Sequence, residues 1–121
     1  MVEKKYEKII ILEDDARFEG DFKSILTYMI NEMKEKSIKW ELLYLGRKIM
    51  KANVETWNFD VEFRNGYGIR NPDFSHWTVA YALTLDGAKK LLNQEPLKKI
   101  VPIDEYFPIM YDKVNLIKKD F

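Results

Sequence analysis

Ile9-Ile10-Ile11-Leu12-Glu13-Asp14-Asp15 runs four aliphatic residues straight into three carboxylates. An unbroken apolar run rich in β-branched side chains fits a strand buried on both faces of a parallel sheet. The acids then stand at its carboxyl end, the edge at which open α/β sheets bind ligands. Side chains two apart on an extended chain point the same way, so Glu13 and Asp15 are expected to share one ligand. Oxygen donors of this kind suit Mg²⁺ or Mn²⁺, especially when a phosphate completes the shell. The competing reading is that the acids only cap the helix that follows.

The totals narrow the field. A chain of 121 residues with 46% hydrophobic and 14% aromatic content builds one small domain, spanning 1–121, and is no disordered tail. Twenty basic residues balance twenty acidic ones, and the lysines are dispersed in pairs, so the electrostatic footprint of a nucleic-acid binder is missing. With no cysteine there are neither disulfides nor thiolate metal sites, and the compartment stays open. Residues 1–6 are too polar for a signal peptide, and no apolar run is long enough for a transmembrane helix.

Residues 2–6 read as the last turn of a helix. Phe22, Ile25, Leu26, Met29, Ile30 and Met33 recur at helical spacing after Asp21, the expected cap. Glu32, Lys34, Glu35, Lys36 and Lys39 read as the solvated end of that helix. Residues 41–46 form a second buried strand closed by Gly46. Residues 47–75 then read as a long irregular loop, with turn signals at Asn65-Gly66, Gly68 and Asn71-Pro72. Strand character returns over 76–83, with His76 as a structural residue. Thr84 caps a short helix in which Gly87 permits close packing on the sheet, and Pro96 ends the unit. Residues 100–103 lead into Asp104-Glu105, a second acidic pair at a strand-to-helix junction, and 114–121 read as an exposed tail.

Three chemistries compete for the acids. A phospho-receiver domain needs an acceptor aspartate at the end of a later strand, where this chain has Tyr44-Leu45-Gly46-Arg47. A metal-dependent hydrolase more often recruits histidines, and His76 is the only one. Transfer of a sugar from a nucleotide donor fits better, because the ion there only binds and neutralises the leaving diphosphate.

Residues 11–19, Leu43-Tyr44-Leu45-Gly46-Arg47-Lys48, Trp77-Thr78-Val79-Ala80-Tyr81, Gly87-Ala88-Lys89-Lys90-Leu91-Leu92 and Pro102-Ile103-Asp104-Glu105 closely resemble glycosyltransferase family 25, in the family's order. The resemblance implies a GT-A-type, Rossmann-like α/β fold. It makes Glu13-Asp14-Asp15 the DXD-like motif for Mn²⁺ or Mg²⁺, with Asp14, Asp15 and Arg17 toward a UDP-sugar donor. The family's collagen-modifying members imply galactose transfer from UDP-galactose to hydroxylysine, with inversion, in the endoplasmic reticulum lumen. The partners implied are the nucleotide-sugar donor and a collagen-like or glycan acceptor. The resemblance also places the family's first strands upstream of Met1, so the chain is expected to be a partial domain and silent on its own. No luminal retention signal follows, and Val114 stands where the collagen enzymes carry a histidine. Inverting transfer needs a base clear of the metal, and an aspartate stands at this point of the family's motif. Asp104 is therefore the expected base, with Glu105 as substitute or acceptor contact. The alternatives are an ordinary helix N-cap for Asp104, and a non-catalytic adhesion or interaction module for the whole chain.

Overall fold

The computed structural model describes residues 1–50, 58–98 and 100–111. Val114, the tail and residues 51–57 of the expected loop lie outside them. The described residues form a mixed α/β unit. Strand β1 (Lys8–Leu12), helix α1 (Phe22–Glu35) and strand β2 (Leu42–Ile49) come first. A small hairpin of β3 (Val61–Glu62) and β4 (Gly68–Ile69) follows, then β5 (Ser75–Thr84), α2 (Leu85–Asn93) and α3 (Ile103–Met110).

The main sheet has the order β1-β5-β2, and β5 is antiparallel to both neighbours. This corrects the expectation of a parallel sheet. β1 and β2 do run the same way, but the ten-residue β5 separates them. Nor is β1 buried on both faces. Ile9 and Ile11 pack toward the core, whereas Ile10 and Leu12 are 46% and 44% exposed. An apolar run reports affinity for a core and says nothing about the direction of its partner strand.

The core lies on the face carrying Ile9, Ile11, Tyr81 and Leu83, where α3 lays down Tyr106 and the fully buried Phe107. The Phe107 ring meets Tyr81 edge-on at 5.0 Å and Tyr44 at 6.1 Å, a preferred aromatic geometry. The other face meets α1 across an apolar groove of about 660 Å³ lined by Ile10, Ile30, Met33, Trp40 and Leu43.

Local signals explain most ends. Asp21 stands at the N-cap of α1, but its side chain makes no capping bond. The helix stops where Ser37 enters the left-handed region at φ 52°. Ser37 N–H then donates to Lys34 and Ile38 N–H to Met33, the Schellman pattern usually built on glycine. Thr84 caps α2 by accepting from Gly87 N–H at 3.1 Å. At Gly87 a Cβ would sit 2.3 Å from the Glu41 carbonyl oxygen, so glycine lets the helix meet the start of β2. Residues 2–5 form a turn, with Lys5 N–H donating to Val2 and Lys5 itself at φ 54°, so the expected helix end is one turn only.

Two further expectations are corrected. β2 does not close at Gly46 but continues to Ile49 through irregular register. The stretch 47–75 is not wholly irregular, because 58–72 hold the hairpin, turned at Asn65 and Gly66, both at positive φ. Its tip is fastened to α1. Arg64 Nε and Nη2 both donate to Glu32 Oε1, at 2.9 and 2.6 Å, and Nη2 also reaches Glu35 at 2.8 Å. Tyr28 hydroxyl donates to the Arg64 carbonyl. Glu32 is therefore buried at 3% exposure rather than solvated, because the guanidinium that compensates its charge arrives from 32 residues away.

Candidate active site

The acids follow β1 but do not extend it. Glu13 N–H still donates to Val79 on β5, at 3.0 Å, after which Ala16 N–H donates to the Glu13 carbonyl and closes a turn over Asp14 and Asp15. Glu13 and Asp15 consequently stand on a turn, and the extended-chain argument for a shared ligand does not apply. All three acids, and Arg17 after them, are exposed. Glu13 is held from below: the buried Thr78 donates its hydroxyl to Glu13 Oε1 at 2.7 Å.

The second acidic pair lies in the first turn of α3. Pro102 takes the N-cap position and no side chain makes a cap bond, so Asp104 is not the cap. Asp104 is half-buried and Glu105 exposed. Pro108 has no N–H to give the Asp104 carbonyl four residues earlier, so the helix starts with one backbone bond fewer.

Asp104 lies near Tyr44, and Glu13 of the acid turn near Tyr81. Tyr44 and Tyr81 are cross-strand partners, and both pack on Phe107. Burial, with the nearby Asp104 charge adding to it and Arg47 opposing, pushes the Tyr44 phenol up to about 12. Burial and then the Glu13 charge raise that of Tyr81. Tyr111, 6.0 Å from Tyr44, is raised by burial and by Tyr44. Arg47 lies 6.0 Å from the Tyr44 ring and donates Nη1 to Ser75 Oγ. Both phenols are thus held in their neutral form, chiefly by burial. His76 stands on β5, in the strand expected of it, and meets Phe74, just before the strand, edge-on at 5.0 Å.

Among the described residues no three acids or histidines converge into a ready-made metal cage. The donor chemistry nevertheless fits a Mg²⁺- or Mn²⁺-type ion, which takes one or two carboxylates and completes its shell with substrate phosphates and water. Asp14 and Asp15, exposed on the turn, are donors of that kind.

Residues 1–107 match the family model described as glycosyltransferase family 25 (LPS biosynthesis protein). The chain belongs to glycosyltransferase family 25. Curated family 25 relatives agree. The chain is 36% identical over 113 residues to procollagen galactosyltransferase 2 of Mus musculus, covering 93% of this chain and 17% of that protein. It is 42% identical over 114 residues to procollagen galactosyltransferase 1-B of Xenopus laevis, covering 92% and 18%. It is also 40% identical over 106 residues to the inactive glycosyltransferase 25 family member 3 of Homo sapiens, covering 88% and 17%. The chain therefore spans less than a fifth of the length of these relatives. No solved structure matches it.

Sequence reasoning did not single out Tyr44, Tyr81, Arg47 or Thr78 as members of the site. The tyrosines lie in β2 and β5, away in sequence from both acidic junctions, and come together only through strand pairing. Thr78 carried no signal, because its bond to Glu13 spans 65 positions.

Proposed function

We propose that this chain carries the catalytic acids of an inverting glycosyltransferase with a GT-A-type fold. In this reading it moves galactose from UDP-galactose to hydroxylysine of a collagen-like acceptor in the endoplasmic reticulum lumen. One observation carries the reading: residues 1–107, which hold both the Glu13-Asp14-Asp15 turn and the Asp104-Glu105 pair, match the glycosyltransferase family 25 model. The packing of Tyr44 and Tyr81 on Phe107 of α3 supports two acid groups with different tasks on one sheet face. The names of the relatives support galactose as the sugar and procollagen as the acceptor protein.

Asp15, with Asp14, would hold the ion together with the donor phosphates, and Glu13 would be positioned through Thr78. A bound divalent ion supplies charge neutralisation for the leaving diphosphate. Arg17 is the further contact to the donor. Asp104 takes the proton of the acceptor hydroxyl as its oxygen bonds to the sugar carbon. The bond from that carbon to the diphosphate breaks, and its electron pair leaves with UDP. Glu105 stands beside Asp104 as the acceptor-side acid. The test is donor binding by the full natural chain with and without Mn²⁺. Asp15→Asn should weaken Mn²⁺-dependent UDP-galactose binding about tenfold or more with little change in melting temperature. Unchanged Mn²⁺ dependence would refute the assignment.

The inactive human relative at 40% identity favours a second reading, a non-catalytic interaction module that keeps the scaffold. Under it the chain binds neither donor nor metal.

A further inference from the structure

Trp77 has no place in the chemistry above, yet its setting is unusual. Gly46 pairs with Ala80 and Lys48 with His76, so Trp77, Thr78 and Val79 together oppose Arg47 alone. The strand bulges there, and Trp77 takes φ 61°, a region bulky residues avoid. The strain turns the indole outward, 54% exposed, while the next residue, Thr78, stays buried and holds Glu13. A large aromatic plate thus stands one residue along the strand from the threonine that holds the acid turn. It is not bare: the Lys48 ammonium lies 4.4 Å from the ring centroid, within cation–π range.

That contact shows what the ring accepts, a primary ammonium on a flexible alkyl stem. We propose that Trp77 is an acceptor-recognition residue whose indole face takes the ammonium of a hydroxylysine-type side chain, displacing Lys48. The inference rests on the transferase reading above and names how its acceptor is selected. In hydroxylysine the hydroxyl sits on the carbon next to the aminomethyl group, so holding the ammonium restricts a hydroxyl oxygen only three bonds from the nitrogen. Displacement is easy, because one exposed ammonium replaces another on the same ring. Lys48 is then a built-in competitor that keeps the plate from collecting other apolar groups.

The test uses the full natural chain, UDP-galactose, and two acceptor peptides whose hydroxylysine amine is free or acetylated. Trp77→Leu should raise the KM for the free-amine peptide about fivefold or more, with kcat within about twofold and donor KM unchanged. Acetylating the amine should do the same to the parent, and the two losses should not compound. Trp77→Phe should fall between, and Lys48→Gln should lower the acceptor KM. An unchanged KM in Trp77→Leu overturns the proposal. So does an equal rise for both peptides, which would make Trp77 a neutral stacking surface for a sugar or peptide. If the parent transfers to neither peptide, the transferase reading fails instead. The Trp77 indole N–H resonance, titrated with the free-amine peptide, then decides alone: a shift that Lys48→Gln strengthens supports the proposal, and no shift overturns it.

Discussion

Thr78→Val removes one hydroxyl from under the acid turn and changes almost nothing else. The two side chains are nearly isosteric, β-branched and equally at home in a strand. Thr78 is 3% exposed and donates to Glu13 Oε1 at 2.7 Å, so the variant deletes one hydrogen bond to a charged acceptor. Such bonds contribute about 1.5–3 kcal/mol. Here Glu13 is exposed and can turn to water, and the variant leaves no buried polar atom unpaired. The stability cost should therefore fall below that range, to about 1 kcal/mol, by urea unfolding. The functional cost should be larger, because Glu13 loses its fixed orientation. Loss of an orienting partner behind a metal-binding group weakens metal affinity on the order of 10- to 100-fold. Calorimetric titration of Mn²⁺ with UDP-galactose should show at least tenfold weaker binding in a chain that melts only slightly earlier. Parent-like Mn²⁺-dependent binding would refute the reasoning, since Glu13 would then be fixed for reasons unrelated to a ligand.

Three further outcomes follow from packing and charge. Gly87→Ala drives a methyl group against the Glu41 carbonyl, 2.3 Å away, and should destabilise by about 1–3 kcal/mol in thermal melts despite alanine's helix propensity. Arg64→Met should cost about 2 kcal/mol by stranding the buried Glu32 carboxylate, reduced by the exposure of Arg64 itself, and pairing it with Glu32→Gln should recover part of the loss in a double-mutant cycle. At alkaline pH the sign is fixed by Tyr44. Its phenol is raised from 10 to about 12 in the fold, so its contribution is complete below pH 10 and is lost as pH rises toward about 12. Tyr44→Phe should lose less stability than the parent across that window.

Much of the local structure around the candidate site was legible in the sequence. Four aliphatic residues followed by three acids marked a strand end with polar chemistry, and Asp104-Glu105 marked a helix start. Thr84 and Gly87 announced a cap and a close approach, which the Gly87 N–H bond to Thr84 and the Glu41 carbonyl confirm. What stayed hidden depends on contacts between distant residues. The antiparallel seating of β5 between β1 and β2 is decided by connection geometry, which an apolar run does not encode. The burial of Glu32 depends on Arg64 and the anchoring of Glu13 on Thr78. The turn at Asp14 and Asp15 defeated the two-residue alternation that holds only while a strand lasts.

The most direct test is galactose transfer from UDP-galactose to a hydroxylysine peptide by the full natural chain, parent against Asp104→Asn. Asparagine keeps the size and polarity of the residue but cannot take the hydroxyl proton. The account predicts that the parent transfers galactose with inversion, and that turnover in the variant falls by ~10²-fold or more while donor binding and melting temperature hold. Parent-like turnover in Asp104→Asn, or a parent that transfers nothing, would contradict it.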